Sequence, residues 1–244
     1  MIKSYNGHAV GIRLAYDGLG NIVEQVNKLG HKIEVLSNIK SGKEATVYRV
    51  MLDSQLMAMK VYKNPEERSF KNTGSYLLGK YYKKPSERRA VAKNNSFAKK
   101  LIHKNWVKRE FFMLEKLFNN GAMIPKPILQ VENAIFMELL GDEHTVAPRL
   151  CDIRLSNDEA KRAQDLILKN IELFWNSGIV HADLSEYNIL WWKNNPYIID
   201  FPQSVDVRTH PNSKEIFNRD LKTIMKYFSR YGQMNANCMT IVCP

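Results

Sequence analysis

The alternation of apolar and polar positions divides the chain into a strand-rich first part and a helix-rich second part. Five short segments are rich in β-branched and other apolar residues and are predicted to be strands: residues 33–39, 45–51, 56–62, 128–131 and 134–139. Residues 17–29 and 103–119 instead repeat apolar residues every three or four positions, which predicts amphipathic helices. The second of these helices is expected to stop before Pro125.

The part of the chain after residue 140 is predicted to be mainly helical. Ser156-Asn-Asp-Glu159 has the spacing of a capping box and should open a helix that runs through Trp175, with Gly178 as its stop. A last helix is expected to begin at Pro211 and to end near Gly232.

These elements predict an α+β protein with two lobes and a cleft between them. We expect an N-terminal segment with a short helix at 1–32, a strand-rich N-lobe at 33–140 and a helical C-lobe at 141–244. Within the N-lobe, residues 63–100 form a basic insertion that Gly and Pro interrupt, so we expect partial order at best there.

Residues suited to phosphoryl transfer lie in the second lobe. His181–Asn188 reads H-x-D-x-x-x-x-N, and Asp200 follows two short predicted strands within 189–199. Phosphoryl transfer from ATP needs a carboxylate beside the attacking oxygen and oxygen ligands for Mg²⁺. Asp183 is therefore the candidate catalytic residue, and Asn188 and Asp200 are the candidate metal ligands. The alternative is a surface loop with ordinary polar residues, but the strands that precede the second carboxylate favour a phosphotransferase.

Lys60 lies in a predicted strand with apolar residues on both sides, which favours a position in a lobe interior or cleft over a solvent-facing one. A lysine in a cleft needs a carboxylate partner. Glu110, on the apolar side of the helix predicted at 103–119, is the candidate, and Glu115 is the alternative.

Two further segments are candidates for nucleotide contacts. The loop between the first two strands would cover phosphates with main-chain N–H groups and a hydroxyl, and it comprises Ser41, Gly42, Lys43 and Glu44. With one glycine it matches neither G-x-G-x-x-G nor a Walker loop, but its place in the chain follows the order of protein-kinase parts. A segment between the lobes would offer main-chain groups to an adenine edge, or is simply a strand end before a turn: Met137, Glu138 and Leu140.

The composition of the chain argues against a membrane protein and indicates a polyanionic partner. The chain has 244 residues, 44% of them hydrophobic, and a net charge of +11. No apolar run approaches the roughly 18–20 residues that span a bilayer, and the N-terminus has no signal core, so we expect a cytoplasmic protein without a membrane partner. Residues 63–100 hold eleven Lys or Arg against three Glu, with aromatic residues between them, which suits RNA or another polyanion better than an ordinary solvated face.

With these parts in order, the chain resembles the RIO family of atypical protein kinases, and its type-1 subgroup most of all. The resemblance covers nearly all of residues 17–232. Its most specific pieces are the Ser-Gly-Lys-Glu-Ala loop at 41–45, Ala147-Pro-Arg-Leu150 and His181–Asn188. Ile199-Asp-Phe-Pro-Gln203 also resembles the family, although this form is more typical of the type-2 subgroup.

The resemblance implies a trimmed protein-kinase-like fold that uses ATP with Mg²⁺, or with Mn²⁺ as the alternative ion. It implies that Lys60 holds the α- and β-phosphates and pairs with Glu110. Ala182 replaces the Arg of H-R-D, and no A-P-E segment follows Asp200, so peptide recognition of the ordinary kinase type is not expected. RIO proteins are associated with maturation of the small ribosomal subunit, which implies a pre-ribosomal or rRNA partner.

The resemblance also raises the question of what is phosphorylated. Hydrolysis of ATP is one outcome, and transfer to a protein or to the chain itself is the other. Autophosphorylation would map to a hydroxyl in the basic insertion, where the candidates are Ser69, Thr73, Ser75, Ser86 and Ser96.

Two other functions remain open from the sequence. A small-molecule phosphotransferase of the aminoglycoside or choline kind uses a similar H-x-D-x-x-x-x-N loop, but such enzymes carry a larger helical lobe with an acidic pocket. An assembly factor that uses nucleotide only as a switch and docks on RNA is the non-enzymatic alternative. The intact Asp183, Asn188 and Asp200 argue against it.

Overall fold

The computed structural model describes residues 19–63 and 96–232, which fall into two compact units. The first unit comprises the described residues up to Val107 together with Leu129–Phe136. The second comprises Lys108–Ile128 and the described residues from Met137 onward. The predicted N-lobe at 33–140 therefore contributes residues 108–128 and 137–140 to the second unit.

The first unit contains a five-stranded sheet whose strand order is β1-β2-β3-β5-β4. Its strands are β1 (Ile33–Ser41), β2 (Ala45–Leu52), β3 (Gln55–Tyr62), β4 (Pro127–Val131) and β5 (Ala134–Glu138). The first three form an antiparallel meander, with irregular pairing in β1 between Val35 and Ser37 and between Asn38 and Lys40. Each strand lies within two residues of its predicted bounds.

Two helices accompany the sheet: α1 (Gly20–Lys28) and α2 (Ser96–Asn119). Helix α1 buries Ile22 and Val26 on one stripe, as expected for an amphipathic helix. The Trp106 ring of α2 meets the Tyr62 ring of β3 edge to face, with centroids 4.8 Å apart, an arrangement that aromatic pairs prefer.

Helix α2 begins earlier than the sequence predicted. The prediction started it at residue 103 and assigned 96–100 to the partly ordered insertion, but these residues are helical. Ser96-Phe-Ala-Lys-Lys100 contains no Pro or Gly, so nothing in its composition interrupts the helix. The rest of the insertion, with the autophosphorylation candidates Ser69, Thr73, Ser75 and Ser86, lies outside the described residues.

The second unit is built around α3 (Asn157–Asn176) and α4 (Ser213–Phe228). The predicted capping box is present, because the Ser156 Oγ accepts the Glu159 N–H while the Glu159 carboxylate accepts the Ser156 N–H. Gly178 adopts a left-handed φ of 77° directly after the helix, a conformation that favours glycine.

Two short antiparallel strand pairs complete the second unit. Strands β7 (Ile189–Trp192) and β8 (Asn195–Ile198) correspond to the two short strands predicted within 189–199, and they pair antiparallel. Strands β6 (Ile179–Val180) and β9 (Val205–Asp206) also pair, which the sequence did not predict. Among the described residues, no helix is both long and apolar enough to cross a membrane.

Candidate active site

His181 anchors the loop that carries the predicted catalytic residue. Its ring is buried, 2% exposed, and lies 4.6 Å from the ring of Phe201. The ring Nε2 donates to the Ile199 carbonyl at 3.0 Å, and Nδ1 accepts the Asp183 N–H at 3.3 Å. Because a carbonyl can only accept, Nε2 is the nitrogen that carries the proton in this hydrogen bond. The ring therefore ties the residue before Asp200 to Asp183.

Ala182 is held by two side chains of α4. Its backbone φ is 69°, in the left-handed region that a non-glycine residue seldom adopts. The Ala182 N–H donates to Asp220 Oδ2 at 2.7 Å, and Arg219 Nη2 donates to the Ala182 carbonyl. Asp220 is 3% exposed, and this burial raises the pKa of its carboxyl, while the Ala182 N–H and Arg219 oppose the rise. Both polar ends of the strained residue are thus satisfied.

Asp183 and Asn188 contact each other across the loop of four residues that separates them. Asn188 Nδ2 lies 2.8 Å from the Asp183 carbonyl oxygen and 3.4 Å from Asp183 Oδ2. The intervening residues form a short turn, in which the Asn188 N–H donates to the Ser185 carbonyl at 3.0 Å. The Asp183 side chain is exposed, so its carboxylate is accessible to a substrate hydroxyl.

Asp200 follows Ile199, whose main-chain N–H and carbonyl groups form hydrogen bonds with both ends of the 181–188 loop. The Ile199 N–H donates to the Asn188 carbonyl at 2.9 Å, while its carbonyl accepts from His181. Asp200 is exposed and has a φ of 72°, which is left-handed backbone. A non-glycine residue in this region marks strain that the surroundings must hold, and such strain clusters at functional sites. The structure thus brings Asp183, Asn188 and Asp200 into one group of connected loops.

The chain after Asp200 is fixed from two directions. Ser204 is buried, and its Oγ lies 2.8 Å from the Phe201 carbonyl and 3.3 Å from the His181 carbonyl. Arg109, in α2, donates to the Ser204 carbonyl at 3.1 Å. These contacts hold the turn that follows the second candidate metal ligand.

The Ala147-Pro-Arg-Leu150 segment supports β7 from the other side. The Trp191 N–H donates to the Pro148 carbonyl at 2.8 Å, and Arg149 forms an isolated bridge with Leu190. Tyr227 of α4 donates its hydroxyl to the Leu150 carbonyl at 2.8 Å. The strand that follows Asn188 is therefore anchored on both sides.

In the first unit, the loop at 41–44 is a tight turn between β1 and β2. The Gly42 N–H donates to the Ala45 carbonyl at 2.8 Å, and a Cβ at Gly42 would lie 3.4 Å from the same oxygen. Ser41 Oγ accepts from Asn38 Nδ2 at 3.1 Å, so its hydroxyl is oriented. Ser41, Gly42 and Lys43 are exposed, and Glu44 is partly buried.

Lys60 lies in β3 opposite Val47, which is three residues beyond the end of that loop. Its ammonium is 5.0 Å from the centre of the Tyr62 ring, a distance suited to a cation–π contact. The side chain is partly buried. Within the first unit, the lysine and the loop therefore share one end of the β2–β3 pair.

Glu110 and Glu115 differ in burial as expected for their places on the helix. Glu110 is 4% exposed, whereas Glu115 is partly exposed. The pairing of Glu110 with Lys60 stays a prediction.

The predicted adenine-binding segment already uses some of its main-chain groups. The Glu138 N–H donates to the Lys126 carbonyl at 2.9 Å, and the Leu140 carbonyl accepts the Ala147 N–H at 2.8 Å. A nucleotide could therefore gain the Glu138 N–H only by breaking a strand hydrogen bond. Met137 is partly buried and Leu140 is buried, so both can contribute apolar surface.

Sequence reasoning missed the side chains that hold the loops. Asp220, Arg219 and Ser204 carry no motif of their own, and their roles depend on contacts with residues 20 or more positions away. One signal was available, since Asp220 lies among the predicted apolar positions of α4. A carboxylate on a buried stripe needs hydrogen-bond donors.

Comparison with known proteins identifies the family. The RIO domain family model matches residues 46–241, which is most of the chain. The chain belongs to the RIO domain family. This confirms the family predicted from the His181–Asn188 loop and the Ser-Gly-Lys-Glu-Ala segment.

Named relatives support the type-1 subgroup. The chain is 33% identical over 216 residues to the serine/threonine-protein kinase rio1 of Schizosaccharomyces pombe, covering 85% of this chain and 40% of the relative. It is 31% identical over 195 residues to the RIO-type serine/threonine-protein kinase Rio1 of Haloferax volcanii, covering 80% and 63%. The chain thus spans between about two fifths and under two thirds of the length of these relatives.

A solved structure supports the fold. The Rio2 kinase–ADP/Mg²⁺-phosphoaspartate complex from Chaetomium thermophilum superimposes with a TM-score of 0.60, at 24% identity, over 88% of this chain and 61% of that chain. The predicted α+β, protein-kinase-like fold class is therefore confirmed.

Proposed function

We propose that this RIO domain catalyses Mg²⁺-dependent phosphoryl transfer from ATP, as an atypical serine/threonine protein kinase or as an ATPase. The observation that carries the proposal is the Asp183–Asn188 contact, linked through Ile199 to the exposed Asp200. This arrangement presents a carboxylate for the attacking hydroxyl beside two oxygen-bearing side chains, as phosphoryl transfer requires. Named kinases among the relatives support the same reaction.

The donor set fits Mg²⁺ and ATP. Mg²⁺ is usually held by one or two carboxylates together with substrate phosphates, and it keeps several waters. Asn188 and Asp200 would supply the protein oxygens. When bound, the ion would offset negative charge on the transferred phosphate. Mn²⁺ accepts the same hard oxygen ligands.

Each remaining residue has a role that follows from its position. Asp183 would orient the attacking hydroxyl or water and accept its proton at the exposed carboxylate. Lys60 would bind phosphate oxygens as a cation, with Glu110 as its proposed partner. The turn at Ser41, Gly42, Lys43 and Glu44, whose first three residues are exposed, would cover the phosphates. Met137, Glu138 and Leu140 would line the adenine.

The test is ATP turnover with Mg²⁺ for the wild type and for Asp183→Ala and Asp200→Ala. Loss of a general base typically costs about 10²–10⁴-fold in rate, and loss of a charge-stabilising ligand costs about as much. Asp165→Ala is the matched control, because Asp165 is an exposed carboxylate on α3. Turnover within a few-fold of wild type in both site variants would refute the proposed roles.

We further propose a function in maturation of the small ribosomal subunit, with pre-ribosomal particles or rRNA as the cytoplasmic partner and autophosphorylation as a side reaction. The charge of residues 63–100, eleven Lys or Arg against three Glu, supports a polyanion partner. Neutral replacements of Lys80, Lys83, Lys84, Arg88 and Arg89 should weaken binding and leave basal turnover unchanged. If the five replacements leave the affinity for pre-ribosomal particles or rRNA and its salt dependence unchanged, residues 63–100 have no docking role and are an ordinary solvated basic loop.

ATP turnover measured in the presence of the partner distinguishes an enzyme from a nucleotide-operated switch. Purified small-subunit precursor particles should accelerate ATP hydrolysis or accept phosphate if the domain acts as an enzyme there. If nucleotide binding alone releases the particles, and Asp183→Ala releases them normally, the switch is the correct description.

A further inference from the structure

The exposed side of α4 carries a row of cations that the proposed reaction does not use. Arg219, Lys222 and Lys226 are exposed and follow one another at intervals of three and four residues, and Arg230 continues the row four residues later in a short 3-10 turn. Residues at these intervals lie on one side of a helix. From Arg219 to Lys226 the row is about 10 Å long, at 1.5 Å per residue. These four residues are called the α4 basic stripe.

The other long helix of the second unit shows what an ordinary solvated surface looks like in this chain. The exposed positions of α3 interleave cations and carboxylates of equal number: Asp158, Lys161, Arg162, Asp165, Lys169 and Glu172. Lys161 has acidic residues three positions before it and four positions after it, and Lys169 has them four before and three after. Charges of opposite sign at these intervals stabilise a helix.

The α4 basic stripe lacks this local compensation. The positions three and four residues away from Lys222 are Asn218, Arg219, Met225 and Lys226. Those around Lys226 are Lys222, Thr223, Ser229 and Arg230. Within α4, carboxylates near the stripe occur only at its N-terminal end: Glu215 lies four residues before Arg219, and the buried Asp220 Oδ1 is 3.4 Å from Arg219 Nη2. The uncompensated part of the stripe is therefore Lys222, Lys226 and Arg230. Like charges at i and i+4 destabilise a helix, and Lys222 and Lys226 stand in this relation without a carboxylate partner at these intervals.

Arg230 is positioned by aromatic rings at the C-terminal end of the stripe. Its guanidinium lies 3.9 Å from the centre of the Tyr227 ring and 5.5 Å from that of Tyr231. A guanidinium stacked on a ring keeps its N–H edge available for two parallel hydrogen bonds to a phosphate. Lys222 and Lys226 add point charges along the helix, which suits a regularly spaced chain of phosphates.

We infer that the α4 basic stripe binds the sugar–phosphate backbone of an RNA strand. At its other end, Arg219 donates to the carbonyl of Ala182, next to Asp183, so the bound strand ends beside the catalytic loop. The surface is separate from residues 63–100 and adds a second RNA contact to the proposed function. RNA binding by the stripe needs no phosphoryl transfer, so it should be measurable without nucleotide.

The test compares two double variants of the full chain that remove the same charge. Lys222→Gln/Lys226→Gln neutralises the centre of the stripe, and Lys161→Gln/Lys169→Gln neutralises two compensated lysines on α3. Gln has a helix propensity close to that of Lys, so both variants should fold, as circular dichroism will verify. Binding of a labelled single-stranded RNA of about 12 nucleotides, within the usual site sizes, is measured across a salt series without nucleotide.

The stripe variant should bind RNA several-fold more weakly, and its plot of log affinity against log salt should be shallower by about 1.4, since each lost contact removes about 0.7. The α3 variant should have the RNA affinity and salt slope of the wild type. Any RNA binding through residues 63–100 is the same in the two variants. Equal affinity and slope in the two variants would overturn the inference. If polyglutamate competes with the labelled RNA as strongly as unlabelled RNA of equal charge does, the inference is also overturned, and the stripe binds an acidic protein instead. Basal ATP turnover should be unchanged in both variants, so failure of the proposed reaction, which retained turnover in Asp183→Ala and Asp200→Ala would show, is distinguishable from failure of the stripe.

Discussion

Asp220 accepts the main-chain N–H of Ala182 at 2.7 Å, and this contact joins a buried carboxylate of α4 to the loop that carries Asp183. Ala182 has a φ of 69°, so the loop has a backbone conformation that its own residues do not favour. The hydrogen bond therefore both satisfies the partly buried Ala182 N–H group and holds the strained residue in place.

Replacement of Asp220 should separate these two effects. Asp220→Ala leaves the Ala182 N–H without its acceptor, which typically costs about 1–3 kcal/mol of stability. Asp220→Asn keeps a carbonyl oxygen at the same place and should cost less. Because a displacement of about 1 Å at a reacting group can cost about 10²-fold in rate, Asp220→Ala should also lower ATP turnover under conditions where it remains folded. Urea unfolding and turnover of both variants check this; equal losses in the two would contradict it.

The same carboxylate predicts a pH dependence of stability. Burial raises the pKa of Asp220 in the folded protein above the value of about 3.9 for an unfolded chain. The folded state therefore binds the proton more tightly, so the contribution of this group is fully present below the unfolded pKa and is lost as pH rises through the folded pKa. The free energy of unfolding of Asp220→Asn should rise relative to wild type from about pH 4 to pH 7. A constant difference between the two proteins over that range would show that the pKa is not raised.

Asn188 is predicted to hold both the loop and the metal ion. Asn188→Ala removes the amide that contacts Asp183 and the oxygen proposed for Mg²⁺. The Mg²⁺ concentration that gives half-maximal turnover should therefore rise by about tenfold or more. Asn188→Asp keeps an oxygen ligand and should restore part of the Mg²⁺ affinity. A titration of turnover with Mg²⁺ at fixed ATP measures the midpoint in each variant. A midpoint that does not move in Asn188→Ala would exclude the residue as a ligand.

The sequence predicted the elements whose signals are local. The three strands that end at Tyr62 and the helix that opens at Ser156 follow from short-range patterns, and the H-x-D-x-x-x-x-N spacing predicted a tight loop that carries both Asp183 and Asn188. The group that positions this loop was not predictable in the same way. Asp220 acts through a residue 38 positions earlier, and strands β6 and β9 have only two residues each, too few to show a period.

The cap of α3 offers a test of the most local of these signals. Ser156 Oγ accepts the Glu159 N–H at 3.3 Å, and Glu159 Oε2 accepts the Ser156 N–H at 2.9 Å, so two N–H groups at the helix start are satisfied reciprocally. Ser156→Ala removes the first acceptor and should lower the free energy of unfolding by about 0.5–2 kcal/mol. Ser156→Asp is the matched control, because Asp caps helices as well as Ser does and should retain most of the stability.

The pH dependence of that loss is a second readout of the cap. The hydrogen bonds from Ser156 lower the pKa of Glu159 in the folded protein. A lowered carboxyl pKa contributes stability above the unfolded pKa, about 4.3, and the contribution is lost as pH falls through the folded pKa. Glu159→Gln should therefore be less stable than wild type near neutral pH, and the difference should shrink in acid. Urea unfolding of both proteins at a series of pH values measures this difference. If it is the same at pH 7 and in acid, the Glu159 carboxylate does not take part in the cap, and only the Ser156 hydroxyl does.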